Sequence, residues 1–199
     1  MEARTYNPES YTSSPEAFKA YLNTSLADPL RRAIVAVTGA EDTDNLNTAH
    51  NSGKFSVRLQ ENPPKTYLQV NNGRESFAVA RTSQEGLSDK VSYIWTSETH
   101  EQFNGDTSVS QTRTASIRLD EKGCRIERTS LTTRSTIDAE RNATITSKMP
   151  MNEEVTVGPD GSFPPACKPF LDSVIFSMSA FSRASAERIH GLAAPEGTS

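Results

Sequence analysis

The chain has 199 residues, and its 25 acidic and 21 basic side chains leave a formal net charge of −4. This length suits a single domain, and the acidic balance argues against nucleic-acid binding, because neutralising phosphates requires a basic surface. The longest aliphatic run, residues 33–37, is far shorter than the ~20 residues that cross a bilayer, so no membrane span is predicted.

The N-terminus lacks the apolar core of a signal peptide, which predicts a cytoplasmic protein. Residues 1–12 are predicted to be a flexible lead. A helix should follow, because Ser14 is a suitable N-cap and Pro15 suits the first helical position. Apolar side chains continue at helical spacing at Phe18, Tyr21, Leu22 and Leu26. The same signals predict a second helix from Asp28 to Gly39.

Residues 40–53 are polar and show no period, which predicts a loop. Several of its side chains carry oxygen ligands suited to a hard cation: Asp42, Asp44, Asn45 and Asn47. The EF-hand pattern fails, however, because Leu46 interrupts the alternating ligands and Gly53 stands where the final Glu is required. No metal site and no cofactor are therefore predicted.

Strands are predicted from residue 54 onward, because apolar and polar residues alternate. The Asn72-Gly73 pair signals a two-residue hairpin, which would place Leu68 opposite Phe77. The apolar positions of the two strands then share one face of the sheet: Leu68, Val70, Phe77 and Val79.

The later strands are predicted to be longer and more polar. One is marked by alternating apolar residues at Val91, Tyr93 and Trp95. Two Ser- and Thr-rich strands follow at 107–119 and 124–147, and the second reads equally well as two strands joined near Arg134. A short strand at 155–157 completes the set. The many hydroxyl side chains indicate that at least one face of this part of the sheet is solvated.

A long amphipathic helix is predicted after the prolines of residues 164–169, ending at Gly191, with a flexible tail over 192–199. Its apolar side chains fall in one stripe: Leu171, Val174, Ile175, Met178, Phe181 and Ile189. Residues 13–191 are thus predicted to form one α+β domain. It would contain N-terminal helices, a curved antiparallel sheet of about six or seven strands, and the long helix packed on that sheet. This order resembles that of helix-grip domains of the START and plant-allergen type, in which a curved sheet closes around the final helix.

No motif in the chain names a reaction, since a nucleophile elbow, a phosphate-binding glycine loop and a paired-cysteine metal motif are all missing from the sequence. The first hypothesis is a non-enzymatic binding module that holds an apolar or amphipathic small molecule between the sheet and the C-terminal helix. Small polar residues in the helix stripe would leave space and orient a ligand. The predicted ligand-binding residues are Phe77, Tyr93, Trp95, Met178, Ser182 and Ser185. The alternative is that these residues are core and that the serines allow close packing.

Two other functions stay open. Phe176 projects nearly opposite the apolar stripe, so it could anchor a protein partner or a homodimer in an interaction or chaperone-like module. An enzyme, which is less favoured, would be centred on His100, with Glu98 on the same face of a strand. Cys124 and Cys167 are predicted to be reduced thiols, with a single disulfide as the alternative.

Overall fold

Helices pack on one face of an antiparallel sheet, which confirms the predicted α+β class. The computed structural model describes residues 11–38, 46–62, 64–83, 89–103 and 105–193. Its helices are α1 (Pro15–Leu22), a π-helical turn (Asn23–Ala27), α2 (Asp28–Thr38), a short 3-10 turn (Pro165–Cys167) and α3 (Lys168–Ala193). Its strands are β1 (Leu46–Ser52), β2 (Phe55–Asn62), β3 (Lys65–Asn71), β4 (Glu75–Thr82), β5 (Lys90–Phe103), β6 (Thr107–Asp120), β7 (Gly123–Ile137) and β8 (Ala143–Val157).

The N-terminal helical segment is continuous over residues 15–38, whereas the sequence predicts two separate helices. Ser14 is the N-cap as predicted, and its hydroxyl accepts a backbone N–H at 3.1 Å. The hydrogen-bond ladder widens to π spacing before Pro29, where the N–H of Asp28 donates to the carbonyl of Asn23. Pro29 has no backbone N–H to donate, and the wider hydrogen-bond spacing lets the helix continue without that donor. The proline therefore does not end the helix. The predicted stop at Gly39 lies outside the described residues.

Over the described residues the sheet has eight strands, which lie side by side in chain order and are each antiparallel to the next. The predicted number was six or seven, and the additional strand is β1, which falls in the predicted loop at 40–53. β1 pairs with β2 along its whole length, from Leu46 opposite Glu61 to Ser52 opposite Phe55. An edge strand held by backbone hydrogen bonds can be polar throughout, which is why apolar alternation does not reveal it.

The β3–β4 hairpin has the predicted face but not the predicted register. Val70, instead of Leu68, lies opposite Phe77. The turn is longer than two residues, because it runs from Asn72 to Glu75, where the N–H of the first donates to the C=O of the second at 3.0 Å. A register change of two residues keeps the same side chains on the core face, since strand side chains alternate with a period of two.

The last four strands have 14 or 15 residues each, whereas β1 to β4 have 7 or 8. Of the two interpretations of residues 124–147, the one with two strands is correct: they form β7 and the start of β8, although the turn lies at 138–142 and not near Arg134. The turn between them is closed by Asp138, whose side chain accepts the N–H of Asn142 at 2.8 Å. The predicted short strand at 155–157 is the end of β8. Residues 98–103 of β5 and 143–154 of β8 are exposed on both faces, and they include the large apolar side chains Phe103, Ile145 and Met149.

The core lies between the helix-facing side of the sheet and the helices. Its enclosed side chains include Phe18, Leu26, Ile34, Leu59, Phe77, Ile117, Leu171 and Met178. α3 continues past the predicted stop at Gly191 to Ala193. Tyr11, which falls in the predicted lead, is 3% exposed and its hydroxyl donates to Asp172 at 2.7 Å. Among the described residues, no helix combines the length and the apolar character that a bilayer crossing requires.

Candidate functional site: a groove beside Trp95

The candidate site is a groove between α3 and the helix-facing side of the sheet. Two cavities of about 450 and 500 Å³ form it, and Trp95 and Ser177 line both. The smaller, the hairpin cavity, is lined in addition by Phe55, Asn72, Glu75, Phe176, Ala180, Phe181, Ala184, Ser185 and Arg188. The larger, the long-strand cavity, is lined in addition by Gln111, Arg113, Thr114, Ala115, Arg128, Thr129, Ser130, Pro150, Met151 and Ser173. Together they are called the Trp95 groove.

Small side chains on one flank of α3 open the groove. They follow one another at intervals of three and four residues, and therefore lie along one side of the helix. They are Ser173, Ser177, Ala180 and Ala184. Phe176 stands at the rim and is 73% exposed. The spacing of the large apolar residues in α3 does not predict this flank. The regular spacing of the small residues next to them does predict it.

Trp95 lies between the two cavities. The alternation in β5 that buries Val91 and Tyr93 also turns Trp95 to the helix-facing side, next to Phe77 and Ala115 on the flanking strands. Its indole Nε1 is enclosed and has no hydrogen-bond partner among the described residues. A buried N–H without a partner costs about 1–3 kcal/mol. An acceptor within reach of Nε1 would remove this cost.

Arginines make the groove positive in a chain that is acidic overall. Arg128 forms an ion pair with Glu153 and donates to the hydroxyl of Ser173 at 2.5 Å. At the other end, the guanidinium of Arg188 lies 4.2 Å from the ring centre of Phe55. Such cation–π contacts satisfy a guanidinium only in part, because its N–H donors remain available at the ring edge.

Arg113 is the cation of the long-strand cavity that has no carboxylate partner in the part of the chain that the structure describes. Its Nη2 donates to Oε1 of Gln111 at 3.1 Å, and Nε2 of Gln111 donates to the hydroxyl of Ser130 at 3.2 Å. On the neighbouring strands it lies opposite Ser97 and Ser130. Neutral groups thus position this guanidinium, and most of its donors remain free.

The predicted ligand-binding residues are divided between the groove and the core. Trp95 and Ser185 line the groove. The aromatic and sulfur-containing members, Phe77, Tyr93 and Met178, are fully buried. Tyr93 donates to the side chain of Asn23, and burial raises the pKa of its hydroxyl. Ser182 lies on the other side of α3 and donates to the carbonyl of Leu26 at 2.9 Å, where its small size lets two helical segments approach closely.

A separate cavity of about 360 Å³ lies between the N-terminal helical segment and β2 to β5. Its two arginines are already paired, since Arg31 contacts Glu61 at 2.5 Å and Arg81 contacts Asp89 at 2.8 Å. A charged ligand would have to compete with these ion pairs. The Trp95 groove, with an unpartnered indole N–H and an arginine free of carboxylates, is the better candidate.

The residues considered for catalysis lie away from the groove. His100 and Glu98 are both exposed, and the register of β5 and β6 places them on the face of the sheet that the helices do not cover. Within the described ranges there is no group of three or more side chains suited to a metal ion. The loop residues Asp42, Asp44 and Asn45 lie outside the described residues, as does the side chain of Asn47.

The two cysteines are free thiols. Cys124 is buried on the core face, and burial raises the pKa of its thiol to about 12. Cys124 is therefore held as a neutral thiol at neutral pH and is a poor nucleophile there.

Comparison with known proteins gives no match: neither a protein-family model nor a curated protein nor a solved structure corresponds to this chain. The groove and its charges are therefore the features on which a function can be proposed.

Proposed function

We propose that the chain is a non-enzymatic binding module that holds an apolar or amphipathic small molecule in the Trp95 groove. The two cavities, of about 450 and 500 Å³, fall in the size range of small-molecule sites, which is roughly 300–1,000 Å³. Their lining combines apolar surface from Trp95, Phe181 and Met151 with a larger number of polar side chains, most of them serine, threonine and arginine. Such a lining suits an amphipathic ligand, because the apolar surface can contact its body and the polar groups can orient it.

The observation that carries the proposal is the position of Trp95. An indole ring that lines two adjoining cavities offers a flat apolar surface for stacking, while its unpartnered N–H calls for an acceptor. A core tryptophan without a ligand role would be expected to have its N–H satisfied within the protein.

Fluorescence provides the test, because Trp95 is the single tryptophan of the chain. Native mass spectrometry of freshly purified protein should detect a co-purifying molecule, and a panel of lipids and aromatic compounds should include members that change the Trp95 emission. Ser177→Phe should abolish that response, because Ser177 lines both cavities of the groove. Ala166→Phe is the matched control, since Ala166 is exposed in the 3-10 turn and does not line the groove.

Protein that is always ligand-free, with an emission unaffected by the whole panel, would refute the small-molecule proposal. An Ala166→Phe variant that loses binding as completely as Ser177→Phe would show that the groove is not the site.

A second candidate function is favoured by Phe176, which is 73% exposed at the groove rim. An exposed aromatic side chain of this size can anchor a protein partner or a second copy of the chain. Sedimentation of the wild type and of Phe176→Ser tests the homodimer, because removal of the anchor should shift the association equilibrium. A strictly monomeric wild type, unchanged by the substitution, would refute self-association through Phe176.

The cytoplasmic location stays a prediction from the N-terminal sequence. An enzyme centred on His100 remains the less favoured alternative, since His100 lies on the solvent-facing side of β5, away from both cavities of the groove.

A further inference from the structure

We infer that the molecule held in the Trp95 groove is an amphipathic anion, with an apolar body and one acidic group that binds Arg113. This inference rests on the proposed function and names the class of its ligand. Three features support it: the sign of the charges that line the groove, their existing partners, and the position of Arg113 relative to Trp95.

The charges that line the groove oppose the overall charge of the chain. The whole chain has a formal net charge of −4. The groove is lined by Arg113, Arg128 and Arg188, with Glu75 as the acidic member of the two linings. Cavity walls of low dielectric strengthen the field of such a cluster, so the groove attracts anions even though the protein as a whole repels them.

Existing contacts distinguish the three arginines. Arg128 already has a carboxylate partner in Glu153. Arg188 lies against the ring of Phe55 in the cavity that also contains Glu75, so the charges at that end nearly balance. Arg113 has neither a carboxylate nor an aromatic partner within the described ranges, so an anion can bind it without displacing either kind of contact.

The position of Arg113 defines the rest of the ligand. It lines the same cavity as Trp95, and the next helix-facing position on β6 is Ala115, which lies opposite Trp95. A guanidinium offers paired N–H donors that match a carboxylate or a sulfonate. With the acidic group on Arg113, the apolar body would lie against Trp95 and the small-residue flank of α3.

Two dyes with the same ring system separate the contribution of the charge from that of the apolar body. The probes are 1-anilinonaphthalene-8-sulfonate and N-phenyl-1-naphthylamine, which lacks the sulfonate. Energy transfer from Trp95 reports binding in the groove. The sulfonate dye should bind the wild type about tenfold more tightly than the neutral dye, as expected for a charge-assisted hydrogen bond at a partly exposed site.

Arg113→Gln should remove most of that difference, weakening the sulfonate dye about tenfold while leaving the neutral dye unchanged. Arg118→Gln is the matched control, because Arg118 is an exposed arginine on the same strand but on the opposite face of the sheet. Both variants should keep the thermal midpoint of the wild type, since both side chains are exposed.

Equal affinity of the two dyes for the wild type would overturn the anion inference and leave the proposed function standing. An equal loss of sulfonate-dye binding in Arg113→Gln and Arg118→Gln would also overturn it, since general surface charge would then explain the binding. If neither dye accepts energy from Trp95, the anion inference fails, and the panel of lipids and aromatic compounds decides the proposed function separately.

Discussion

Gly123 shows how a single residue sets the path of two strands. It has a φ of 111°, and a Cβ at this position would lie 2.1 Å from the carbonyl oxygen of Val157 and 2.6 Å from the carbonyl carbon of Gly158. Both neighbours are backbone atoms, so the clash cannot be relieved by a side-chain rotation. Gly123→Ala should therefore lower the free energy of unfolding by about 3 kcal/mol or more, measured by urea denaturation.

Gly53 is the matched control for this prediction. It has a φ of 59°, but a Cβ there would meet nothing within 4 Å. Gly53→Ala should therefore cost only the left-handed backbone strain, about 1 kcal/mol. Equal losses in the two variants would mean that the close approach of β8 to Gly123 contributes nothing beyond that strain.

At the scale of elements, Asp89 joins the N-terminal helical segment to the sheet. It accepts hydrogen bonds from Arg81 of β4 at 2.8 and 3.1 Å, and from Lys19 of α1 at 2.6 Å. The hydrogen bonds from Arg81 have the largest effect on the pKa of this carboxyl, and the hydrogen bond from Lys19 adds to it. Together they hold that pKa below its ordinary value. Because a lowered folded pKa favours the charged form, Asp89 stabilises the fold at neutral pH.

Asp89→Asn should accordingly lower the free energy of unfolding at pH 7 by about 1 kcal/mol, since the ion pairs are partly exposed. The stabilisation is present above the unfolded pKa of about 3.9 and is lost as the pH falls through the lower folded pKa. In denaturation curves, the difference in the free energy of unfolding between the wild type and the variant should thus shrink as the pH falls below ~4. Asp160→Asn, at an exposed position without an ion pair in the described structure, serves as the control. A deficit that stays constant down to the lowest pH would rule out the charged carboxylate as its cause.

For the whole molecule, α3 is the element on which the fold depends. Its stripe of large apolar side chains is buried, and it covers strands whose polar faces cannot form a core by themselves. Burying each such side chain contributes roughly 1.5–3 kcal/mol, so their joint loss is comparable to the whole stability of a typical domain. A fragment of residues 1–163 should therefore lack a cooperative thermal transition and should aggregate.

Removal of residues 193–199 is the matched control for that truncation, because this stretch has no apolar period and should change the transition little. A cooperative transition retained by the 1–163 fragment would show that α3 is an appendage to an independently stable sheet.

The sequence by itself determined the class of the fold, because a helix or strand that is buried on one side has apolar residues at a regular spacing. The stripe of α3, the cap at Ser14 and the alternation from Phe55 to Trp95 each predict an element that the structure contains. These signals depend on which face of a single element is buried, and neighbouring residues record that directly. They also place Trp95, a residue of the groove, on the helix-facing side of the sheet.

Only the tertiary structure decided the features that depend on a second segment of backbone. β1 is a strand because β2 supplies its hydrogen bonds. The helix continues past Pro29 because the π-helical turn does not require the N–H that proline lacks. In the same way, Arg113 belongs to the groove because the register of β6 against β5 sets it next to the strand position of Trp95. Its free donors follow from which side chains the neighbouring strands place beside it, and no local period in the sequence contains that information.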